Sequence, residues 1–266
     1  MWQAARLLML GAPAVFLAGC GPDSYTLRYD LKSGETLIYL QDASIRAVAA
    51  GQQPDKNSPG VDGTQELTLK VKSSEKGDAR IETLVRVIPA GKKREEVKET
   101  PEPTLRFNLS EMGETDKVED ADPKKKSTLY GLPVNVSSFA VSPIRLPLRA
   151  VKIGDEWSTS APSPLAGGSD GEVFCKFAAV ETVDGIECAR LDLTIVYKIA
   201  LKLDTKQNVP VTLKGTISLT GSTHFALKAG RVVQLKLAGD GPLTVEETNE
   251  SVVANLIFKM STKLVK

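Results

Sequence analysis

Hydrophobic residues recur at every second position along most of this chain. Leu67, Leu69 and Val71 follow that period, as do Ile81, Thr83, Val85 and Val87, and then Leu105, Phe107 and Leu109. The longest run passes through Ala189, Leu191, Leu193, Ile195, Tyr197, Ile199, Leu201 and Leu203, with Arg190, Asp192, Thr194, Lys198, Lys202 and Asp204 on the other parity. A period of two puts alternate side chains on opposite faces, so each run predicts a strand with one face buried and one wet. Tyr25, Leu27, Tyr29 and Leu31 predict a further strand. Others are expected at Val173 to Val180, Val209 to Leu219, Thr223 to Leu227, Val232 to Leu237, Leu243 to Glu246 and Val252 to Lys263. Turns are predicted where Gly34-Glu35, Asp184-Gly185, Ala229-Gly230 and Gly239-Asp240-Gly241-Pro242 separate the runs. Ala49 to Gly63, Gly91 to Pro103 and Ala161 to Gly171 break the pattern and are expected to be surface loops. Leu129, Leu132, Val136 and Phe139 have helical spacing, but Pro133 limits them to at most a short helix. The expectation is a mainly β protein with an antiparallel curved sheet, half-barrel or sandwich.

The two halves of the chain share three features in the same order. Leu31-Lys32 leads into Gly34-Glu35, and Val151-Lys152-Ile153 into Gly154-Asp155-Glu156-Trp157. Ala79-Arg80-Ile81-Glu82 follows Gly77 as Ala189-Arg190-Leu191-Asp192 follows Gly185. Phe107-Asn108-Leu109 with Gly113 answers Phe225-Ala226-Leu227 with Gly230. This order suggests a duplicated β unit. The expected division is a leader at 1–19, a tether at 20–24, a first unit at 25–126, a connector at 127–148 and a second unit at 149–266.

The N-terminus carries a different signal. Met1 to Arg6 holds one positive charge, and the apolar stretch Leu7 to Leu17 is too short to span a bilayer as a helix. Leu17-Ala18-Gly19-Cys20 follows and resembles the lipobox of bacterial lipoproteins. That resemblance implies that the Cys20 thiol is joined to a diacylglycerol and the chain cut before it, with palmitate among the usual chains. Two or three acyl chains give stable anchoring where one is marginal. Residue 21 is glycine, not the aspartate of inner-membrane retention, so the resemblance implies an outer-membrane lipoprotein facing the periplasm. The entries to the two units, Leu27-Arg28-Tyr29 with Lys32-Ser33-Gly34-Glu35 and Leu146-Pro147 with Val151 to Trp157, are similar to those of a family of uncharacterised β-rich bacterial lipoproteins. Arg149-Ala150 departs from that family, where a proline is common. The resemblance implies a fold and an address, and no activity.

Composition adds mostly exclusions. The 266 residues carry 34 basic and 33 acidic side chains and are 41% hydrophobic, so neither disorder nor a general pull toward nucleic acid follows. Beyond Cys20 the cysteines are Cys175 and Cys188. A hairpin turning at Val183 to Gly185 sets Cys175 opposite Leu193 and Cys188 opposite Val180, so no disulfide is expected. His224 is the single histidine and takes the polar parity of its strand, which makes it a surface residue and leaves no support for a metal site. No nucleophile elbow or phosphate-cradling loop occurs, so neither a catalytic set nor a cofactor is expected. Lys92 to Glu96 and Lys124 to Lys126 are charge runs, read as solvated loops within reach of anionic headgroups. The expected function is a membrane-anchored envelope lipoprotein acting as a structural or protein-interaction module, with envelope proteins as partners. The alternative is a carrier of lipid or another hydrophobic ligand in a concave sheet.

Overall fold

The computed structural model describes residues 24–49, 52, 58, 60–100, 102–120, 128–129, 132–133, 145–161, 169–204, 210–247 and 250–266. The first strands are β1 (Thr36–Ala49), β2 (Gly60–Glu75), β3 (Asp78–Ile88), β4 (Glu102–Leu109) and β5 (Thr115–Asp120). Two-residue strands β6 (Thr128–Leu129) and β7 (Leu132–Pro133) pair with each other, so Leu129 and Leu132 lie in a small hairpin and not in a helix. Val136 and Phe139 fall outside the described residues. The chain continues with β8 (Glu156–Ala161), β9 (Gly171–Val183), β10 (Ile186–Asp204), β11 (Pro210–Ala226), β12 (Arg231–Glu247) and β13 (Glu250–Leu264). Among the described residues the one helical element is a 3-10 turn at Arg94–Glu96.

Eleven strands form one antiparallel sheet in the order β5-β4-β3-β2-β1-β13-β12-β11-β10-β9-β8. It does not close, because β5 and β8 are edges. Each half is a meander, and the meanders join where β1 pairs β13, with Tyr39 opposite Leu264. Strand direction sorts the connections. The β2–β3, β4–β5, β9–β10 and β11–β12 turns gather at one end of the sheet, here the turn end, and the longer β1–β2, β3–β4, β8–β9 and β10–β11 connections at the other, the loop end, together with the short β12–β13 connection.

The expected alternation holds in the sheet. Along β10, Ala189, Leu191, Leu193, Ile195, Tyr197 and Ile199 are all buried, and Leu67, Leu69, Val71, Ile81, Leu105 and Phe107 join them in a single core drawn from both halves. Tyr25 to Leu31 shares the burial but is not a strand of the sheet. It is extended chain with one isolated bridge, between Tyr25 and Val151. A second difference concerns Gly239 to Pro242. No turn forms there, and β12 runs straight through, with Leu219 opposite Gly239 and Asn255 opposite Pro242. A Cβ on Gly239 would run into the carbonyl oxygen of Ser218, so the glycine serves a close approach of two backbones.

The halves repeat in geometry. Gly34 and Gly154 have φ of 81° and 95°. Gly34 N–H donates to the Val71 carbonyl at 2.8 Å and Val71 N–H to that of Glu35 at 2.9 Å. In the other half Gly154 N–H donates to the Phe177 carbonyl at 2.7 Å and Phe177 N–H to that of Asp155 at 2.9 Å. The bulge after Val71 is answered by one after Phe177, with Val71 opposite Ile81 and Phe177 opposite Leu191. The Ala-Arg matches therefore coincide in register. The third sequence match does not. Phe107 lies opposite Ile81, whereas Phe225 lies opposite Ala189, which puts the aromatics two residues out of step.

Candidate functional site

The concave face is the natural place for a ligand, and at the turn end the chain fills it with its own N-terminal segment. Residues 25–31 form a strap in which Leu27 is 0%, Tyr29 6% and Leu31 4% exposed. Tyr29 meets Phe225 edge-on at 5.1 Å between ring centroids, and Tyr25 meets Phe177 likewise at 5.4 Å. The strap's backbone is tied from all sides. Tyr25 and Val151 exchange hydrogen bonds of 2.7 and 2.9 Å, Tyr29 N–H donates to the Glu111 carbonyl, and Asp30 N–H to that of Gly230. Buried amides need such partners, and a strap lying off the ladders must find each separately.

Farther along the face a polar layer crosses the core. Gln65 donates to the amide oxygen of Gln41, which itself donates to Thr262 Oγ1 at 3.1 Å and to Met260 Sδ at 3.3 Å. Toward the loop end, packing loosens. Ile45, Leu213 and Leu256 are only partly buried, and Val87, beside Gln65 on the same face, is 67% exposed.

Arg28 was not legible as a functional residue. Its side chain points away from the core and donates to the carbonyls of Pro147 at 2.8 Å and Leu148 at 2.6 Å, with Glu111 at 3.8 Å. Leu146 N–H donates to the Met112 carbonyl, so the β4–β5 hairpin, the strap and loop 145–155 form one knot near the two edges of the sheet. Trp157 packs partly against the core.

The thiols lie on opposite faces. Cys175 is opposite Leu193 as expected, but Cys188 is opposite Glu181 and not Val180. The turn has two residues, Asp184 and Gly185, with φ of 49° and 80°, and the bulge at Ala178 restores the expected register beyond it. Both thiols are buried and free, and burial pushes Cys175 up to about 12 and Cys188 above its ordinary value. Protonated thiols of this kind are poor nucleophiles. His224 is half-buried, not a free surface residue. Its Nε2 lies 3.1 Å from Glu181, which also holds Arg190 at 2.6 Å. Among the described residues no cluster of His, Cys, Asp and Glu suits a metal ion.

The outer face holds two further features. Segment 89–97 folds back over β2 and β3, where Leu84, Ile88 and Val97 are buried, and Glu66, 3% exposed, pairs with Arg86 at 2.8 Å and with Arg94. Burial alone would raise the Glu66 carboxyl, but its hydrogen bonds to Arg94 and Arg86 outweigh this and hold it below its ordinary value. Arg94 therefore leaves the expected solvated charge run. Beside this layer a groove of about 600 Å³ crosses β12, β13, β1 and β2, walled by Lys236 and Lys259 on one side and Ile88 to Ala90 on the other. Cys20, the leader and Lys124 to Lys126 lie outside the described residues. No described helix is long and apolar enough to cross a membrane.

No family model matches the chain, and no curated protein matches it. Among solved structures it aligns with the outer membrane channel DcaP of Acinetobacter baumannii at 7% identity, over 89% of this chain and 99% of that one, with a TM-score of 0.19. It also aligns with a conserved protein of unknown function with a hot dog fold from Alicyclobacillus acidocaldarius, at 11% identity over 89% and 80%, with a TM-score of 0.13. Likenesses this slight carry no argument.

Proposed function

We propose that this chain is a bacterial envelope lipoprotein, anchored through acyl chains on Cys20 and acting as a structural or protein-interaction module at the periplasmic side of the outer membrane. One observation carries the choice of module over carrier: at the turn end the concave face is occupied by Leu27, Tyr29 and Leu31 of the same chain. A carrier needs several hundred Å³ of open apolar space there, on the order of a drug-sized pocket. The anchor itself rests on the lipobox at Leu17 to Cys20. Fractionation of a producing strain tests it. Wild-type protein partitions with membranes and Cys20→Ser with the soluble fraction, whereas a membrane-bound Cys20→Ser variant overturns the anchor. Native mass spectrometry of the released variant should show an empty chain.

The carrier reading retains one point in its favour, the looser loop end, where Val87, Ile45, Leu213 and Leu256 face inward without full burial. Lipid that co-purifies with the released chain, and is lost on filling that end with Val87→Trp, would favour it.

A further inference from the structure

The chain between the acylated cysteine and the folded body is short, and where it enters the body is informative. Tyr25, five residues after Cys20, is already fixed to Val151 by two hydrogen bonds. Five extended residues reach at most about 18 Å. If Cys20 sits in the bilayer, as the proposed function holds and this inference assumes, then the turn end beside Val151 lies at the membrane surface. The loop end lies far away, since β3 alone, with 11 residues, spans about 36 Å.

Two aliphatic side chains stand out from the body at this place. Leu148 is 82% and Ile153 55% exposed, three and two residues from Val151. The fold does not require Ile153 to be apolar, because Ser33 holds the equivalent position in the matching turn of the first half. Nor is the loop that carries them loose. Arg28 holds the carbonyls of Pro147 and Leu148, Arg149 pairs with Asp155 at 2.7 Å, and the Asp155 carboxylate accepts from Lys152 N–H at 3.1 Å. Rigidity here means that display of Leu148 and Ile153 costs little ordering entropy on contact.

We propose that loop 147–155 is a membrane-contact surface that seats the anchored body on the bilayer, with Leu148 and Ile153 entering the headgroup region and Arg149 and Lys152 meeting lipid phosphates. The aliphatic pair supplies most of the attraction, since neighbouring charges nearly cancel: Glu111 faces Arg28 and Glu114 faces Arg145. Side chains at such an interface gain from burial in proportion to area removed from water. Exposed apolar residues at a tethered end thus have an occupant that is always within reach. The Lys92 to Glu96 run sits at the loop end and has no part in this contact.

The test uses the full chain, processed in a bacterial host and reconstituted in vesicles of phosphatidylethanolamine and phosphatidylglycerol at roughly the proportions of a bacterial membrane. Intact mass first reports whether Cys20 carries acyl chains. Hydrogen exchange is then compared with that of the Cys20→Ser chain free in solution. The expected result is exchange slowed several-fold in peptides covering 147–154, unchanged exchange at 89–99, and return to the solution rate in the acylated Leu148→Glu/Ile153→Glu variant. Acylated protein whose 147–154 segment exchanges as in solution overturns the contact surface and leaves the anchor standing. A chain without acyl groups overturns the anchor and this inference with it.

Discussion

The entry turns of the two halves have the same backbone and different surroundings. Leu31 to Glu35 and Val151 to Asp155 share a left-handed glycine, the same pair of hydrogen bonds to the second strand of their meander, and an acid whose carboxylate accepts the N–H of the lysine three residues earlier. Beyond the backbone they diverge. Glu35 reaches across the core to Arg231 on β12, both side chains 20% exposed, whereas Asp155 turns to its neighbour Arg149 at the surface. The first turn has been drawn into the joint between the halves. The second faces outward and carries an exposed isoleucine. One local sequence thus builds one local shape, while function is decided by what the shape is set against.

The strap that links the two turns should show the largest effect on truncation. Leu27→Ala empties a fully buried position between the halves and is expected to cost about 2–5 kcal/mol, read from urea unfolding. Leu148→Ala on the outward loop should change stability by no more than about 0.5 kcal/mol. Equal costs at the two positions would erase the distinction between joint and display. Arg231→Ala leaves Glu35 in a largely covered site without its partner and is expected to cost about 1–3 kcal/mol. Arg149→Ala removes an exposed pair, worth about 0–1 kcal/mol. The two left-handed glycines probe the shared backbone alone. A Cβ at Gly34 or Gly154 meets nothing within 4 Å, so Gly34→Ala and Gly154→Ala carry only the left-handed backbone cost of about 1–2 kcal/mol. Thermal unfolding should rank these two as equals. A clear inequality would mean that the shared backbone is not equally constrained.

The smallest effect concerns the outer layer that segment 89–97 forms over β2 and β3. Glu66 has its carboxyl held below the ordinary value of 4.5 by Arg94 and Arg86. Its contribution is therefore present above that value and fades as pH falls through the lower folded-state value. Acid titration of wild type against Glu66→Gln, with proteolysis of segment 89–97 as readout, should show a loss of protection with acid that the variant lacks.

Parity was readable along β9 and β10 because a half-wet sheet forces alternation, and every expected inward residue from Ala189 to Ile199 is buried. Parity reports burial and not pairing, which is why Tyr25 to Leu31 looked like a strand and is a strap. Glycine clusters are equally ambiguous, since Gly239 to Pro242 serves backbone approach inside β12 and not a turn. The register of Cys188 missed by one because the turn takes two residues and not the three expected, and the bulge at Ala178 that restores the register beyond it has no composition signal. The knot formed by Arg28 with Pro147 and Leu148 joins residues about 120 apart, and no local pattern encodes such a partnership. The candidate site at Cys20 rests on the sequence alone.

At the turn end the concave face belongs to the chain itself. Nuclear Overhauser contacts between the Tyr29 and Phe225 rings, whose centroids lie 5.1 Å apart, test it most directly. They should be present in the released Cys20→Ser chain and should persist when phospholipid or fatty acid is added. Their absence, with contacts from lipid methylenes to Phe225 in their place, would contradict the account and make the face a binding site.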